Sequence, residues 1–458
     1  MYEGKFIHET KKTPVKLECD VLIAGGGTAG IVAAIASART GADTVLIDRN
    51  GFLGGTMING AGPLHSFFNL YTAFKGVSKV QVVRGIADEI ISRLIAVDGS
   101  LGHLEQELGS DYDSVATIID WEIFKDVIFD MMNEARVKLL LHTLIVDTIT
   151  EDDTVKGVII ESKSGREAIL AKIVVDTSGD GDVAFHAGAG CFNASDDANV
   201  GMPFGMANVD IPKACKFFEE SDMLFSMIHG DKGSDYDNIV RVGFNLKKLP
   251  VFKEFMDTTG MWGPLTVARH ENEFSFINTT NIKSLNAIDV SEITRAEIEL
   301  RKQVMKMAEL LKMHIPGFER SYVNWTPVHF GVRRTRIIEC VYDISIDTIV
   351  NAERFADEVA LYGFHDCAPR IMIKNGGYYG IPYRALLPNK IENLLVAGRL
   401  ITSNWEAHMS TRNTVSCMAQ GQAVGTAAAL CCKLNVTPRT LDVVMLREQL
   451  KQDNVFLG

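Results

Sequence analysis

The chain has little of what secreted, membrane-spanning or nucleic-acid-binding proteins need. Its eight cysteines (Cys19, Cys191, Cys215, Cys340, Cys367, Cys417, Cys431 and Cys432) are scattered, and none forms a C-x-x-C pair. That spacing excludes the usual zinc, iron–sulfur and redox-dithiol motifs and leaves buried, reduced thiols in the cytoplasm as the expectation. The opening stretch MYEGKFIHETKKTPVKLE carries charge where a signal segment carries an apolar core. No window approaches the about 20 apolar residues of a membrane span, so no membrane partner is expected. Positive charge is in deficit: 46 Lys and Arg against 58 Asp and Glu give −12, which disfavours binding to nucleic acid or anionic lipid. Proline is scarce, 12 residues against 39 glycines, which argues against disorder and for many tight strand-to-helix turns. There is no G-x-S-x-G elbow and no paired histidine spacing, so neither a Ser–His–Asp hydrolase nor a metal site is expected. What remains is a 458-residue chain, 47% hydrophobic, large enough for two or three lobes and suited to small-molecule chemistry.

The most informative segment is CDVLIAGGGTAGIVAAIASARTGADTVLIDRN, Cys19 to Asn50. Val21 to Ala24 reads as a buried strand, Gly25-x-Gly27-x-x-Gly30 as a tight turn, and Ile31 to Arg39 as an alanine-rich helix. Gly25 permits the turn, Gly27 admits a pyrophosphate to the backbone, and Gly30 lets helix and strand pack closely. The helix N-terminus offers free N–H groups to phosphates. Val45 to Ile47 is the next strand, and Asp48 at its end is placed to accept ribose hydroxyls. The strand, turn, helix and acid together predict dinucleotide binding, without separating NAD from FAD.

Further blocks make that separation by resemblance. Arg49-Asn50-Gly51-Phe52-Leu53-Gly54-Gly55-Thr56 is a second glycine turn directly beyond the acid. Asp176-Thr-Ser-Gly179-Asp180-Gly181-Asp182 closes an apolar strand, and Ile381-Pro-Tyr-Arg384 runs on to Asn393-Leu-Leu-Val-Ala-Gly398-Arg399. Met409-Ser-Thr-Arg412-Asn413 then leads to Gly421-Gln-Ala-Val-Gly425. These motifs resemble the FAD-dependent oxidoreductase family within the glutathione-reductase-like FAD-binding superfamily. The resemblance implies FAD as cofactor, held by Gly25, Gly27, Thr28, Ala29, Gly30, Asp48, Arg49, Gly54, Gly55, Thr56, Gly179, Asp180, Gly398, Arg399, Arg412 and Asn413.

The implied fold class is α/β: a Rossmann-like FAD-binding domain, its parallel sheet carrying helices and an inserted β-hairpin or meander, plus a second α+β substrate domain. Residues 1–60, 115–200 and 371–458 are assigned to the first, 61–114 to an insertion near the flavin, and 201–370 to a substrate or cap domain rich in Phe and Met. Lys138 to Asp147 reads as one strand, Thr154 to Ser162 with Glu167 to Val175 as a hairpin, and Ser291 to His314 as a long helix.

For catalysis, the family's glycine-rich C-terminal helix is expected to aim its N-terminus at the flavin, with Arg412 adding positive charge; capping or a surface ion pair is the alternative for that arginine. His408 and His365 are the expected proton partners, since histidine titrates near neutrality, and His65 is a third candidate. Gly331-Val-Arg333-Arg334-Thr335-Arg336 concentrates arginines. If part of it is a strand, Arg334 and Arg336 share a face and can hold a carboxylate or phosphate; the alternatives are that the arginines pair with Asp343, Asp347 or Asp357, or contact FAD itself. Tyr378, Tyr379, Tyr383 and Arg384 are placed to close over a substrate. The functional expectation is an oxidoreductase exchanging hydride between flavin N5 and a small polar substrate, anionic or sugar-like, in either direction. An electron-transfer flavoprotein subunit with a redox partner, a homo-oligomer, and a non-catalytic dinucleotide sensor remain open at this stage.

Overall fold

A computed structural model describes residues 6–59, 80–105, 115–194, 199–230, 238–261, 264–363, 371, 373–374 and 377–458. Its first layer opens with β1 (Val15–Ala24), α1 (Thr28–Arg39) and β2 (Thr44–Ile47). Then follow α2 (Ile86–Ala96), α3 (Trp121–Glu134), β3 (Lys138–Leu140), β4 (Leu144–Glu151), β5 (Thr154–Ser162) and β6 (Gly165–Asp176). The strands order as β3-β2-β1-β6-β5-β4. β1 pairs in parallel with β2 and with the C-terminal half of β6, while the first half of β6 turns back antiparallel on β5. The α/β class is therefore as expected, with the hairpin grafted onto the edge of a parallel sheet. The single strand expected over Lys138 to Asp147 is two strands: the chain breaks between them, where His142 takes a left-handed φ of 51°.

Alternation fails along the parallel strands because both faces are covered. Val21, Leu22, Ile23 and Ala24 are all fully buried, the continuous apolar run such a sheet requires. Complete burial of each larger side chain contributes about 1.5–3 kcal/mol. Asp120 caps α3, accepting from the N–H groups of Glu122 and Ile123 at 2.9 and 3.1 Å. Arg39 at the end of α1 reaches Glu89 of α2 through both guanidinium nitrogens at 2.5 and 2.9 Å.

The second layer contains β7 (Phe204–Ala207), β8 (Leu224–His229), β9 (Ile239–Phe244), β10 (Leu265–Val267), β11 (Glu273–Asn278), the 25-residue α4 (Val290–His314) and β12 (Tyr322–Trp325). Its sheet runs β8-β9-β10-β11-β7-β12, antiparallel throughout. A separate apolar core drawn from Val200 to Val332 fills this layer, whereas Ile338, Ile344, Ile349 and Val359 pack in the first core. The two layers are tied by a small cluster of Ala116 and Ile118 with Ile228, Val240, Val267 and Phe276. Trp121 also stacks on Trp325 at 4.4 Å, and His270 meets Asp120 at 2.9 Å.

The chain then returns to the first layer. β13 (Leu394–Val396) joins β6 in parallel, and α5 (Trp405–Thr411) and α6 (Thr414–Leu434) follow. The approach to the glycine-rich C-terminal stretch is thus two helices broken at Arg412 and Asn413. α6 lies directly on α1: a Cβ at Gly421 would stand 2.2 Å from the Ala29 carbonyl oxygen, and one at Gly425 2.2 Å from that of Ala33. Alanine normally favours a helix over glycine by about 1 kcal/mol. Here the sign reverses, because two backbones must separate, and Gly425→Ala is expected to lower stability by about 1–3 kcal/mol in urea unfolding.

Candidate functional site

The carboxyl ends of β1, β2, β6 and β13 open on one cleft. Gly25 turns the chain out of β1 with φ of +105°, and a Cβ there would meet the Thr177 carbonyl oxygen at 2.7 Å. Thr177 also donates its hydroxyl to the Gly25 carbonyl at 2.7 Å. Gly30 packs behind the turn, where a Cβ would lie 1.8 Å from that same carbonyl oxygen. Gly27 differs from both. Its φ of −73° is ordinary, its Cβ position has only the Thr177 oxygen 3.9 Å away, and it caps α1 with no side-chain hydrogen bond. The first N–H groups of α1 are left for whatever occupies the cleft.

The second glycine turn rests on the first. Gly54 donates to the Gly26 carbonyl at 2.8 Å, and a Cβ at Gly55 would sit 2.7 Å from the Gly27 Cα. Asp48, 7% exposed, accepts from the N–H groups of Gly26 and Asn50, each at 2.7 Å. At the end of β6 the buried Asp176 takes the Ser178 hydroxyl at 2.7 Å and the Ala184 N–H at 2.9 Å, which shapes the Gly179-Asp180-Gly181 turn. Burial pushes the Asp176 carboxyl up to about 6. Asp180 moves the other way. Burial opposes its charge, but Arg399 at 2.8 Å, the Thr335 hydroxyl at 2.6 Å and nearby Arg49 outweigh it and hold the carboxyl below its ordinary value.

The cleft is lined from the first layer by Gly25, Gly27, Thr28, Ala29, Asp48, Arg49, Gly55, Thr56, Gly179, Asp180, Gly398, Arg399, Arg412 and Asn413. Sixteen cofactor-site residues were expected from sequence; these are fourteen of them, and Gly30 and Gly54 shape the two turns from behind. Asn413 precedes α6 without capping it, since its amide donates backwards to the carbonyls of Met409 and Ser410 at 2.9 and 3.1 Å. A second uncapped helix N-terminus therefore faces the cleft. Gln420, which the sequence reading passed over, locks this end together, accepting the Gly398 N–H at 2.9 Å and donating to the Thr411 carbonyl at 2.8 Å.

The catalytic candidates fare differently. His408 is fully buried, lies behind the cleft wall, and donates Nε2–H to the Arg399 carbonyl at 2.8 Å. Burial holds its pKa well below the ordinary histidine value, so it is a neutral positioning residue for the Gly398-Arg399 turn and not the proton partner expected. Arg334 is also corrected. The expected strand breaks into Gly331–Val332 and Arg336–Ile338, so the alternation argument fails. Arg334, 1% exposed, donates to the Ser403 carbonyl and lies over the Trp405 ring at 5.6 Å. Arg336 pairs with Asp182 at 2.8 Å. Tyr379 and Tyr383 are buried, bonded to Ser410 and the Pro438 carbonyl, and Arg384 pairs with Asp357. His365 and His65 lie outside the described residues.

The second layer supplies residues that sequence reasoning missed: His329, Phe330, Val332 and Arg333, with Ala287 and Ile293. Arg333 donates to the Asn199 carbonyl at 3.0 Å, and burial together with the like charge of Arg412 lowers it to about 9. Cys417 also lines the cleft, but burial pushes its thiol up to about 12, so it offers no thiolate. Among the described residues no cluster of His, Cys, Asp and Glu could hold a metal, and no helix is long and apolar enough to cross a membrane.

These residues fit FAD. The open side of Gly27 above an uncapped helix suits a pyrophosphate, Asp48 at the end of β2 suits a ribose, and the second uncapped helix with Arg412 suits the electron-rich end of a flavin. Comparison with known proteins agrees. A family model described as FAD dependent oxidoreductase matches residues 20–450. A digeranylgeranylglycerophospholipid reductase from Methanosarcina acetivorans is 24% identical over 201 residues, 43% of this chain and 47% of that protein. A thiamine thiazole synthase from Methanococcus vannielii is 32% identical over 176 residues, 36% of this chain and 57% of that one. The chain thus spans about half the length of the curated relatives it matches. Among solved structures, a triple mutant of the flavin-dependent brominase Bmp2 aligns over 95% of this chain and 85% of its own at 11% identity, TM-score 0.51. The myxobacterial chondrochloren halogenase CndH aligns over 95% and 78%, also at 11% identity, TM-score 0.50. At such identities they speak for the fold alone.

Proposed function

The chain belongs to the FAD-dependent oxidoreductase family and is an enzyme with FAD as its cofactor; from that premise we propose that it exchanges a hydride between the flavin and a small polar organic substrate. The substrate would lie in the part of the cleft lined by His329, Phe330, Val332 and Arg333, so the second layer contributes the substrate side of the site. FAD, when bound, supplies a two-electron acceptor or donor at N5.

The observation that carries the reading is the convergence of two uncapped helix N-termini on one cleft. α1 presents backbone N–H donors for a pyrophosphate, and α6 with Arg412 presents positive potential where negative charge grows on reduction. The chain's side chains do the rest: Asp180 and Arg399 neutralise each other and stiffen the wall, and the apolar residues of the second layer exclude water. The described cysteines are all free, which favours the reducing cytoplasm as its location.

The test is an absorption spectrum of the purified protein, followed by anaerobic dithionite and, on a fresh sample, NADH. Flavin bands that bleach, with FAD released by acid, are the expected result, and bleaching by NADH would name a reductant. A colourless protein that cannot be reconstituted with FAD would overturn the reading.

A further inference from the structure

We propose that His329 is the proton acceptor of a dehydrogenation, its Nε2 taking the hydroxyl proton of an alcohol substrate held in the cleft. The inference rests on the flavoprotein reading above and adds to it a residue, a substrate class and a direction.

His329 lines the cleft from the second layer, two residues before the Gly331–Val332 strand. Its Nδ1 lies 3.0 Å from the carbonyl oxygen of Phe330. A carbonyl oxygen only accepts, so Nδ1 must carry the hydrogen. A neutral imidazole has one such hydrogen, which leaves the Nε2 lone pair bare. That lone pair now accepts from the Asn59 amide at 3.0 Å. Asn59 ends the short helix Thr56–Asn59 that follows the second glycine turn, and it is 2% exposed. The basic atom is thereby fixed in direction by one layer and held by a neutral donor from the other. A substrate hydroxyl that reaches Nε2 from the cleft must displace this amide.

His408 presents the opposite arrangement. Its Nε2 carries the hydrogen and is spent on Arg399, behind the wall.

The tautomer fixed by the Phe330 carbonyl makes Nε2 the basic atom, which suits it to accept a proton from an alcohol. Burial lowers the His329 pKa most; the hydrogen bond to the Phe330 carbonyl opposes it, the positive charges of Arg49 and then Arg399 lower it further, and Asp180 raises it least. At neutral pH the ring is therefore an unprotonated base, ready to receive a proton and poorly suited to supply one. Oxidation of an alcohol uses that state; reduction of a double bond would need the imidazolium. The step balances. The O–H bond breaks and its proton goes to Nε2. The adjacent C–H bond breaks and hydrogen leaves with both electrons to FAD. A C=O bond forms, the substrate losing two electrons and FAD gaining two.

The experiment mixes the holoenzyme anaerobically with lactate, malate, gluconate and glucose as probes and follows flavin bleaching. Wild type is compared with His329→Gln and His329→Asn. At least one probe is expected to bleach wild type, at a rate that rises with pH through an inflection below the ordinary histidine value of about 6.5. Both variants should keep FAD and still be reduced by dithionite. Their bleaching by that probe should be slower by about 10²–10⁴-fold, with the inflection gone.

Wild-type rates in the variants, an unshifted inflection in them, or a wild type that none of the four alcohols bleaches would overturn the proposal. So would loss of FAD from both variants, which would make His329 part of the cofactor cradle while leaving the flavoprotein reading intact. A wild type without FAD would instead defeat that reading itself.

Discussion

A Gly27→Val protein is expected to fold and to purify without colour. The three fingerprint glycines are alike in sequence but not in what surrounds them. A Cβ at Gly25 would meet backbone at 2.7 Å under a φ of +105°, and one at Gly30 would meet backbone at 1.8 Å. Substitution at either should therefore prevent the turn and the α1 packing from forming at all. At Gly27 the backbone is unstrained and the nearest atom is 3.9 Å away, so a valine is accommodated by the protein and projects into the cleft. What it displaces is the pyrophosphate. Losing two charge-assisted hydrogen bonds at about 2 kcal/mol each weakens FAD binding by about 10³-fold. Far-UV circular dichroism and the thermal midpoint of the apoprotein should match wild-type apoprotein, while the flavin bands disappear. A yellow Gly27→Val protein would show that the cofactor phosphates lie elsewhere; an unfolded one would make all three glycines structural.

The same contrast explains what could be read from the sequence. The first βαβ unit was legible because its residues are local: a buried strand, a turn that only glycine can make, an alanine-rich helix and an acid follow one another within thirty positions. β13, α6 and the Asp176-to-Asp182 turn were legible too, since each motif carries its own strand end. The proton partner was not. Closeness in sequence to the C-terminal FAD block points to His408, but α5 turns that ring inward onto Arg399. His329 enters the cleft from the second layer, and its partner Asn59 lies 270 positions away in the chain, a distance that spacing arguments do not bridge. The one available signal was V-H-F-G directly before the arginine run, where an apolar flank brings a histidine to a strand start. For the arginines, strand alternation was applied across residues that make no strand. It selected Arg334, and the cleft instead receives Arg333.

Arg412→Gln is expected to keep FAD and to lower its midpoint potential by about 40 mV. The residue stands at the break between α5 and α6, so its guanidinium and the uncapped N–H groups of α6 face one cleft. Two-electron reduction leaves the flavin anionic, and a fixed cation beside it stabilises the reduced form more than the oxidised one. Removing that cation costs the reduced state about 2 kcal/mol at a partly solvated site. For a two-electron couple 30 mV corresponds to about 1.4 kcal/mol, which gives the stated shift. Arg412→Lys keeps the charge and should recover most of the potential, which a purely packing role would not. Equilibrium reduction against indicator dyes measures the potential in all three proteins. Equal potentials in wild type and the glutamine variant would place the flavin away from Arg412 and reverse the orientation assigned to the cleft.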